Sequence, residues 1–234
     1  MSIKAIMFDL DGTLLPMDQD IFIKAYFGGI SKKLAFKYDP EKLIKSIWTG
    51  TIAMIKNDGT YTNEEVFWNT FALIYGENVR SDESSFEKYY LEDFDKVSEV
   101  CGYNNKAKEV IDLVKSLGYQ IILATNPIFP SIATKKRIKW AGLNFDDFEL
   151  VTTYENSSYC KPNLKYYQEI MDKLNLKADE CVMIGNDVAE DMIVNKLGVK
   201  TFLLTDCLIN KDNEDISKYL HGSFEELIEF LKSL

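Results

Sequence analysis

The stretch that most constrains this chain is IKAIMF, residues 3–8, followed at once by Asp9, Asp11, Gly12 and Thr13. A short apolar run of this kind reads as a strand buried on both faces, and such a strand requires helices packed on both sides of its sheet. Two like charges placed two residues apart at its end repel each other and are costly to bury. Either they are solvated in a turn, or something positive sits between them.

From Pro16 to about Asp95 the pattern becomes helical. Segments such as PEKLIKSIWTGTIAMIK and TNEEVFWNTFALIYG repeat apolar residues at helical spacing, Pro40 suits a first helical turn, and Thr62 with Glu65 has capping-box spacing. After residue 100 strands and helices alternate: strands at YQIILATN, FELVTT, CVMIG and VKTFLL, with helices between and after them, the last at SFEELIEFLKSL. Gly118, Gly142 and Gly198 follow helical runs as C-caps do. This pattern predicts an α/β fold: a doubly wound parallel-sheet core from residues 1–15 and 96–234, interrupted by an all-helical module over 16–95.

A hydrophobic content of 46% supports a substantial core, and a net charge of −10 argues against nucleic acid or an anionic membrane as the main partner. No apolar run reaches the roughly 18 residues of a membrane span, and the first residues are too short an apolar stretch for a secretory signal. Cys101, Cys160, Cys181 and Cys207 are scattered without a CxxC pair. They are expected to be reduced thiols in a cytoplasmic protein, and no zinc site is expected. With His221 the only histidine, chemistry is expected to run on carboxylates, lysine or metal.

In open α/β sheets the ligand site lies beyond the carboxyl ends of the strands. Asp9, Asp11, Gly12 and Thr13 follow the first predicted strand, Thr125 and Asn126 the second, Lys161 with Pro162 the third, and Gly185, Asn186, Asp187 and Asp191 the fourth. Hard carboxylate oxygens gathered at one edge suit Mg²⁺, which usually works with a phosphate. Thr125 and Lys161 would suit the phosphate oxygens.

DLDGTL, a Thr after the second core strand, KP and GNDVAED, in that order, resemble the four motifs of the haloacid dehalogenase superfamily over the whole chain. The helical insert resembles the cap that many members carry after the first motif, and the core would then be Rossmann-like. The resemblance implies a Mg²⁺-dependent phosphatase acting on a small phosphorylated metabolite. Asp9 would be the nucleophile that forms an aspartyl-phosphate. Asp11 would be the general acid and then base, with its backbone carbonyl on the metal. Thr125 would bind the transferring phosphoryl with Asn126 beside it, and Lys161 would offset the charge on Asp9 and phosphate. A phosphomutase, a pyrophosphatase or a dehalogenase could use the same core, although dehalogenases of this family generally lack the second Asp of the first motif. A non-catalytic binding module is the remaining alternative.

The fourth motif departs from the usual Gly-Asp, because Asn186 follows Gly185. Aligned without a gap, Asn186 takes the metal position; shifted by one, Asp187 does, with Asp191 holding a metal water or Lys161. A carboxylate is the better ligand, so Asp187 is expected to coordinate directly. In the insert, residues 56–62 form a polar turn, KNDGTYT, and Lys56, Asn57 or Tyr61 is expected to contact the leaving group. Trp48, Phe67 and Trp68 are expected to be core of the helical module. The two crossings into the insert can act as hinges. With nine basic against fourteen acidic residues, the insert does not advertise a polyanionic substrate.

Overall fold

A computed structural model describes residues 2–234. The central strand β1 spans Ala5–Phe8. The chain then enters a block of four helices, α1 (Gln19–Leu34), α2 (Pro40–Ile55), α3 (Asn63–Tyr75) and α4 (Glu83–Glu92), and returns through α5 (Asn105–Ser116) to β2 (Gln120–Leu123). There follow α6 (Ser131–Trp140), β3 (Leu150–Val151), α7 (Leu164–Lys173), β4 (Cys181–Gly185), β5 (Lys200–Leu204), β6 (Leu220–Gly222) and α8 (Phe224–Lys232). The six strands form one sheet in the order β3-β2-β1-β4-β5-β6, with every adjacent pair parallel. This is the Rossmann-like doubly wound sheet expected from the alternation of elements.

Side chains alternate across the sheet with a period of two. Ile6 and Phe8 join Ile121, Leu123, Val182 and Ile184 in a cluster with apolar residues of α5 and α8. Ala5 and Met7 face the other way, with Ile122, Met183 and Tyr166, Tyr167, Ile170 and Met171 of α7. Because β1 is fully buried on both faces, neither surface of it can tolerate a polar side chain.

The structure differs from the sequence pattern at three places. The helix expected over EDMIVNKLG is a 3₁₀ turn, Met192–Leu197, which leaves Asp191 directed inward. The helical block runs on through a 3₁₀ segment to Val100, beyond the expected return at Asp95, because Phe94 and Val97 belong to the block's own apolar cluster. The edge strand β6, which carries His221, was not expected; its three residues are too few to show a period.

The block meets the core at its crossings, at the start of α3 and along α6, where Lys136 Nζ bonds Leu91 O and Trp140 Nε1 bonds Asp95. Its entering and leaving chains lie side by side, with Met17 and Cys101 in an antiparallel bridge and the Gly102 amide donating to the Pro16 carbonyl at 2.7 Å. The second contact is the start of α3. Its otherwise unpaired amides are met by core carbonyls, Asn63 N on Ser157 O and Glu64 N on Tyr154 O, both at 2.8 Å. The fully buried Asn63 amide donates to Pro127 O at 3.2 Å and accepts from Asn57 Nδ2 at 2.9 Å.

Replacing Asn63 with Leu would leave buried carbonyl and amide partners unsatisfied. Asn63→Leu is therefore expected to lower stability by about 1–3 kcal/mol, and urea denaturation followed by circular dichroism would read this directly. A midpoint equal to that of the parent would show that this contact does not hold the block.

Candidate active site

Asp9 leaves the end of β1 with its amide donating to Ile184 O of β4 at 2.9 Å, so the two central strands position it together. Both of its carboxylate oxygens are engaged: Oδ1 accepts from Lys161 Nζ at 2.8 Å, and Oδ2 from the Thr13 hydroxyl at 3.1 Å. Gly12 has a positive φ of 88°, which glycine adopts without strain. A Cβ there would also collide with the Asn186 side chain, so the close approach of these two loops depends on the glycine.

Lys161 is almost fully buried and holds the site together. Its ammonium contacts Asp9 and, at 2.6 Å, Asp191 Oδ1. Asp191 Oδ2 accepts from the Asp187 amide at 3.0 Å, which folds the segment after β4 back beneath the strand. Gly185 leaves room for that carboxylate, since a Cβ would strike it. Burial disfavours the ammonium, but Asp191 and then Asp9 outweigh it and hold Lys161 well above the usual lysine range. Burial holds Asp191 above the ordinary aspartate range, with the Lys161 ammonium opposing the rise.

The structure places Thr125 and Asn126 after β2 at the same edge. Thr125 lines the cavity above Asp9, and its carbonyl accepts from Thr152 Oγ1 at 2.6 Å and the Tyr166 hydroxyl at 2.9 Å. Asn126 does not face outward freely. It accepts from the Lys161 amide at 3.3 Å and donates to Glu190 Oε2 at 3.1 Å.

Asp11 has a partner that the sequence reading missed. Arg137 of α6, almost fully buried, binds Asp11 Oδ2 through Nη1 and stacks over the Phe129 ring at 4.5 Å. Asp11 Oδ1 is buried without a hydrogen-bond partner among the described residues. Burial raises Asp11 above the ordinary aspartate range, with Arg137 opposing and Asp9 adding to the rise. In the sequence Arg137 is one of three consecutive basic residues. Its spacing from Ala133, and that of Ile138 from Thr134, marked it as an inward position on the helix.

Several side chains stand elsewhere than the sequence pattern suggests. Asn186, not Asp187, stands beside Asp9: its Oδ1 accepts from the same Thr13 hydroxyl, at 3.0 Å, that binds Asp9. Asp187 instead turns its Oδ1 to the amides of Ala189 and Glu190, at 2.8 and 3.0 Å, and closes the turn after β4. Asp191 orients Lys161, one of the two tasks expected of it, with Oδ1 on the ammonium and Oδ2 on the Asp187 amide. Lys56 and Asn57 do not line the cavity. Asn57 is buried in its own loop, bonded to Gly59 N, Tyr61 O and Asn63, while Lys56 points to solvent. Trp48, expected to be core, is half-exposed and lines the cavity.

No three His, Cys, Asp or Glu side chains converge as a metal cluster among the described residues. What does converge is a mixed set of oxygens. Asp9 Oδ2 and Asn186 Oδ1 both lie about one hydrogen bond from Thr13 Oγ1, an all-oxygen donor set that fits a hard ion such as Mg²⁺.

Residues 3–198 match the family model of haloacid dehalogenase-like hydrolases. Among curated relatives, the pyrophosphatase PpaX of Bacillus velezensis is 21% identical over 85% of this chain and 82% of its own length. A ribulose-1,5-bisphosphate 5-phosphatase of Halopiger xanaduensis is 26% identical over 85% of this chain and 83% of its own. Among solved structures, a HAD phosphatase of Thermococcus onnurineus superposes with a TM-score of 0.57 at 18% identity, covering 98% of both chains. The HAD-hydrolase YfnB of Bacillus subtilis, bound to magnesium, superposes with a TM-score of 0.58 at 18% identity over 99% of both. At these identities the structures speak for the fold.

Removing Arg137 would strand Asp11 beside Asp9. Arg137→Met is expected to cost about 3 kcal/mol in urea denaturation, the low end for a buried pair because the Asp11 side chain is 21% exposed. Asp11→Asn added to it should recover much of that loss. A double variant as unstable as the single would show that Arg137 acts through packing alone.

Proposed function

This chain belongs to the haloacid dehalogenase-like hydrolases, and on that footing we propose that it is a Mg²⁺-dependent phosphatase that cleaves a small phosphomonoester through an aspartyl-phosphate on Asp9. The observation that carries this reading is the setting of Asp9. Its carboxylate is fixed at both oxygens, by Lys161 and Thr13, in the lining of a cavity, with Asp11 alongside and one Asp11 oxygen unpartnered. Relatives that hydrolyse phosphoesters or pyrophosphate support the reaction class.

Each residue then has one task. An Asp9 oxygen attacks phosphorus in line with the ester oxygen, and the phosphorus–oxygen bond of the leaving group breaks. Asp11 gives its proton to the departing oxygen from Oδ1, while Arg137 holds Oδ2. Thr125 and Lys161 receive the phosphoryl oxygens, and Lys161 offsets the repulsion between them and Asp9. Water then attacks the phosphorus of the aspartyl-phosphate. Asp11 takes its proton, inorganic phosphate departs, and the Asp9 carboxylate is restored. Mg²⁺, held by Asp9, Asn186 and the Asp11 carbonyl, would supply charge neutralisation for the transferring group.

Asp9→Asn keeps the shape and removes the nucleophile, so kcat should fall by about three powers of ten or more in a phosphate-release assay while the melting temperature stays near that of the parent. Turnover within tenfold of the parent would dismiss Asp9 as nucleophile. EDTA should stop turnover and Mg²⁺ restore it. In a magnesium titration Asn186→Ala should raise the half-saturating concentration more than Asp187→Ala does; the opposite ranking would return the ligand role to Asp187.

A further inference from the structure

The cavity above Asp9 has a volume of about 380 Å³ and opens towards the helical block. Its walls are of two kinds. Around Asp9 it is lined by five carboxylates, Asp9, Asp11, Asp187, Glu190 and Asp191, with a single lysine, Lys211. On the side of the helical block its lining holds no charged residue among those described. Polar groups there are few: the hydroxyls of Tyr26 and Tyr90 bond each other at 2.9 Å, Thr51 Oγ1 donates to Ile47 O at 3.0 Å, and Gln19 supplies one exposed amide.

Aromatic rings dominate that wall. Tyr26 meets Phe129 edge to face at 5.2 Å, and Phe27 meets Trp48 in the same way at 5.9 Å. Trp48 is nevertheless 49% exposed, and Ile55 beside it 41%. A large apolar surface left uncovered inside a cavity, within reach of a catalytic carboxylate, is what a ligand would cover.

We propose that the substrate is a phosphomonoester whose leaving group is a planar, uncharged, largely apolar ring system, seated against Trp48, Phe27 and Tyr26. This inference rests on the phosphatase reading of Asp9. A second phosphate or a carboxylate on the leaving group would have to shed water against a wall that offers no cation and only the Gln19 amide and one tyrosine hydroxyl as donors. Pyrophosphate and sugar bisphosphates are therefore poor substrates for this chain, whatever its relatives hydrolyse. A polyol leaving group loses its hydrogen bonds to water without replacement. A flat ring loses little and gains the aromatic contact.

Two measurements test this on the purified protein with Mg²⁺. The first compares kcat/KM for 1-naphthyl phosphate and phenyl phosphate with glycerol 3-phosphate, acetyl phosphate, pyrophosphate and ribulose 1,5-bisphosphate. The ring phosphates are expected to lead by about tenfold or more, the scale of apolar pocket discrimination. Trp48→Ala, with Trp48→Leu as the variant more conservative for folding, should shrink the naphthyl-to-acetyl ratio about tenfold, chiefly through KM. The second is calorimetric titration of Asp9→Asn with 1-naphthyl phosphate and with glycerol 3-phosphate, which reads binding without turnover. Acetyl phosphate hydrolysis with no ring preference would overturn this inference and leave the phosphatase reading standing. Selective ring binding without hydrolysis of any ester would keep the pocket and overturn the phosphatase reading. Neither binding nor hydrolysis would overturn both.

Discussion

The ammonium of Lys161 is the charge on which the site depends. A buried lysine is tolerated only where carboxylates surround it, and here Asp9 and Asp191 do so from opposite sides at 2.8 and 2.6 Å. Each contact recruits another loop. Asp191 holds the Asp187 amide after β4, Asn126 holds the Lys161 amide from the loop after β2, and Thr13 joins Asp9 to Asn186. Four strand ends are thus tied into one network whose members are few, charged and mostly enclosed. The sheet order makes this possible, because β1 and β4 are neighbours at the point where the winding changes direction and their following loops diverge.

The same network reaches the helical block. The segment between β3 and Lys161 supplies the carbonyls of Tyr154, Ser157 and Tyr159 that receive the start of α3, and Asn63 also donates to the Cys160 sulfur next to Lys161. The block therefore rests on the loop that positions the central lysine. Expected hinges at the crossings are only half of the connection: swinging the block away from Asp9 would also break these buried hydrogen bonds. Swinging the block would also have to free α4 from α6, where Lys136 Nζ bonds Leu91 O.

Much of the fold was legible because its signals are strong and local. The apolar runs of β1, β2 and β4, the capping box at Thr62 and Glu65, and the carboxylates placed after strands all follow from short-range patterns. The sequence was less informative where spatial partners decide. Arg137 looks like its neighbours Lys135 and Lys136 until α6 turns it towards Asp11. Asn186 and Asp187 are adjacent, and only backbone direction after β4 assigns one to Asp9 and the other to a turn. The polar loop at 56–62 carried a familiar look of exposure and function, yet Asn57 spends its hydrogen bonds on the loop itself. Trp48 was misread because helical spacing reports which face is apolar and not whether a neighbour covers that face.

Asn186 and Arg137 together give the site an unusual balance of charge. Asp9 and Asp191 share Lys161, and Asp11 has Arg137, so each buried carboxylate meets a cation within the protein itself. A fourth carboxylate at position 186 would add a negative charge beside Asp9, with Lys161 and Arg137 already paired, and would make the fold lean on a bound cation. The neutral amide avoids that demand. Its cost falls on the affinity for the ion, because an amide oxygen attracts a divalent cation less strongly than a carboxylate does. On the Mg²⁺-dependent reading proposed above, the site would be stable before the metal arrives and would hold it more firmly once a phosphate adds its own charge. Ion and substrate would then enter as mutually reinforcing partners, each strengthening the binding of the other by the same factor.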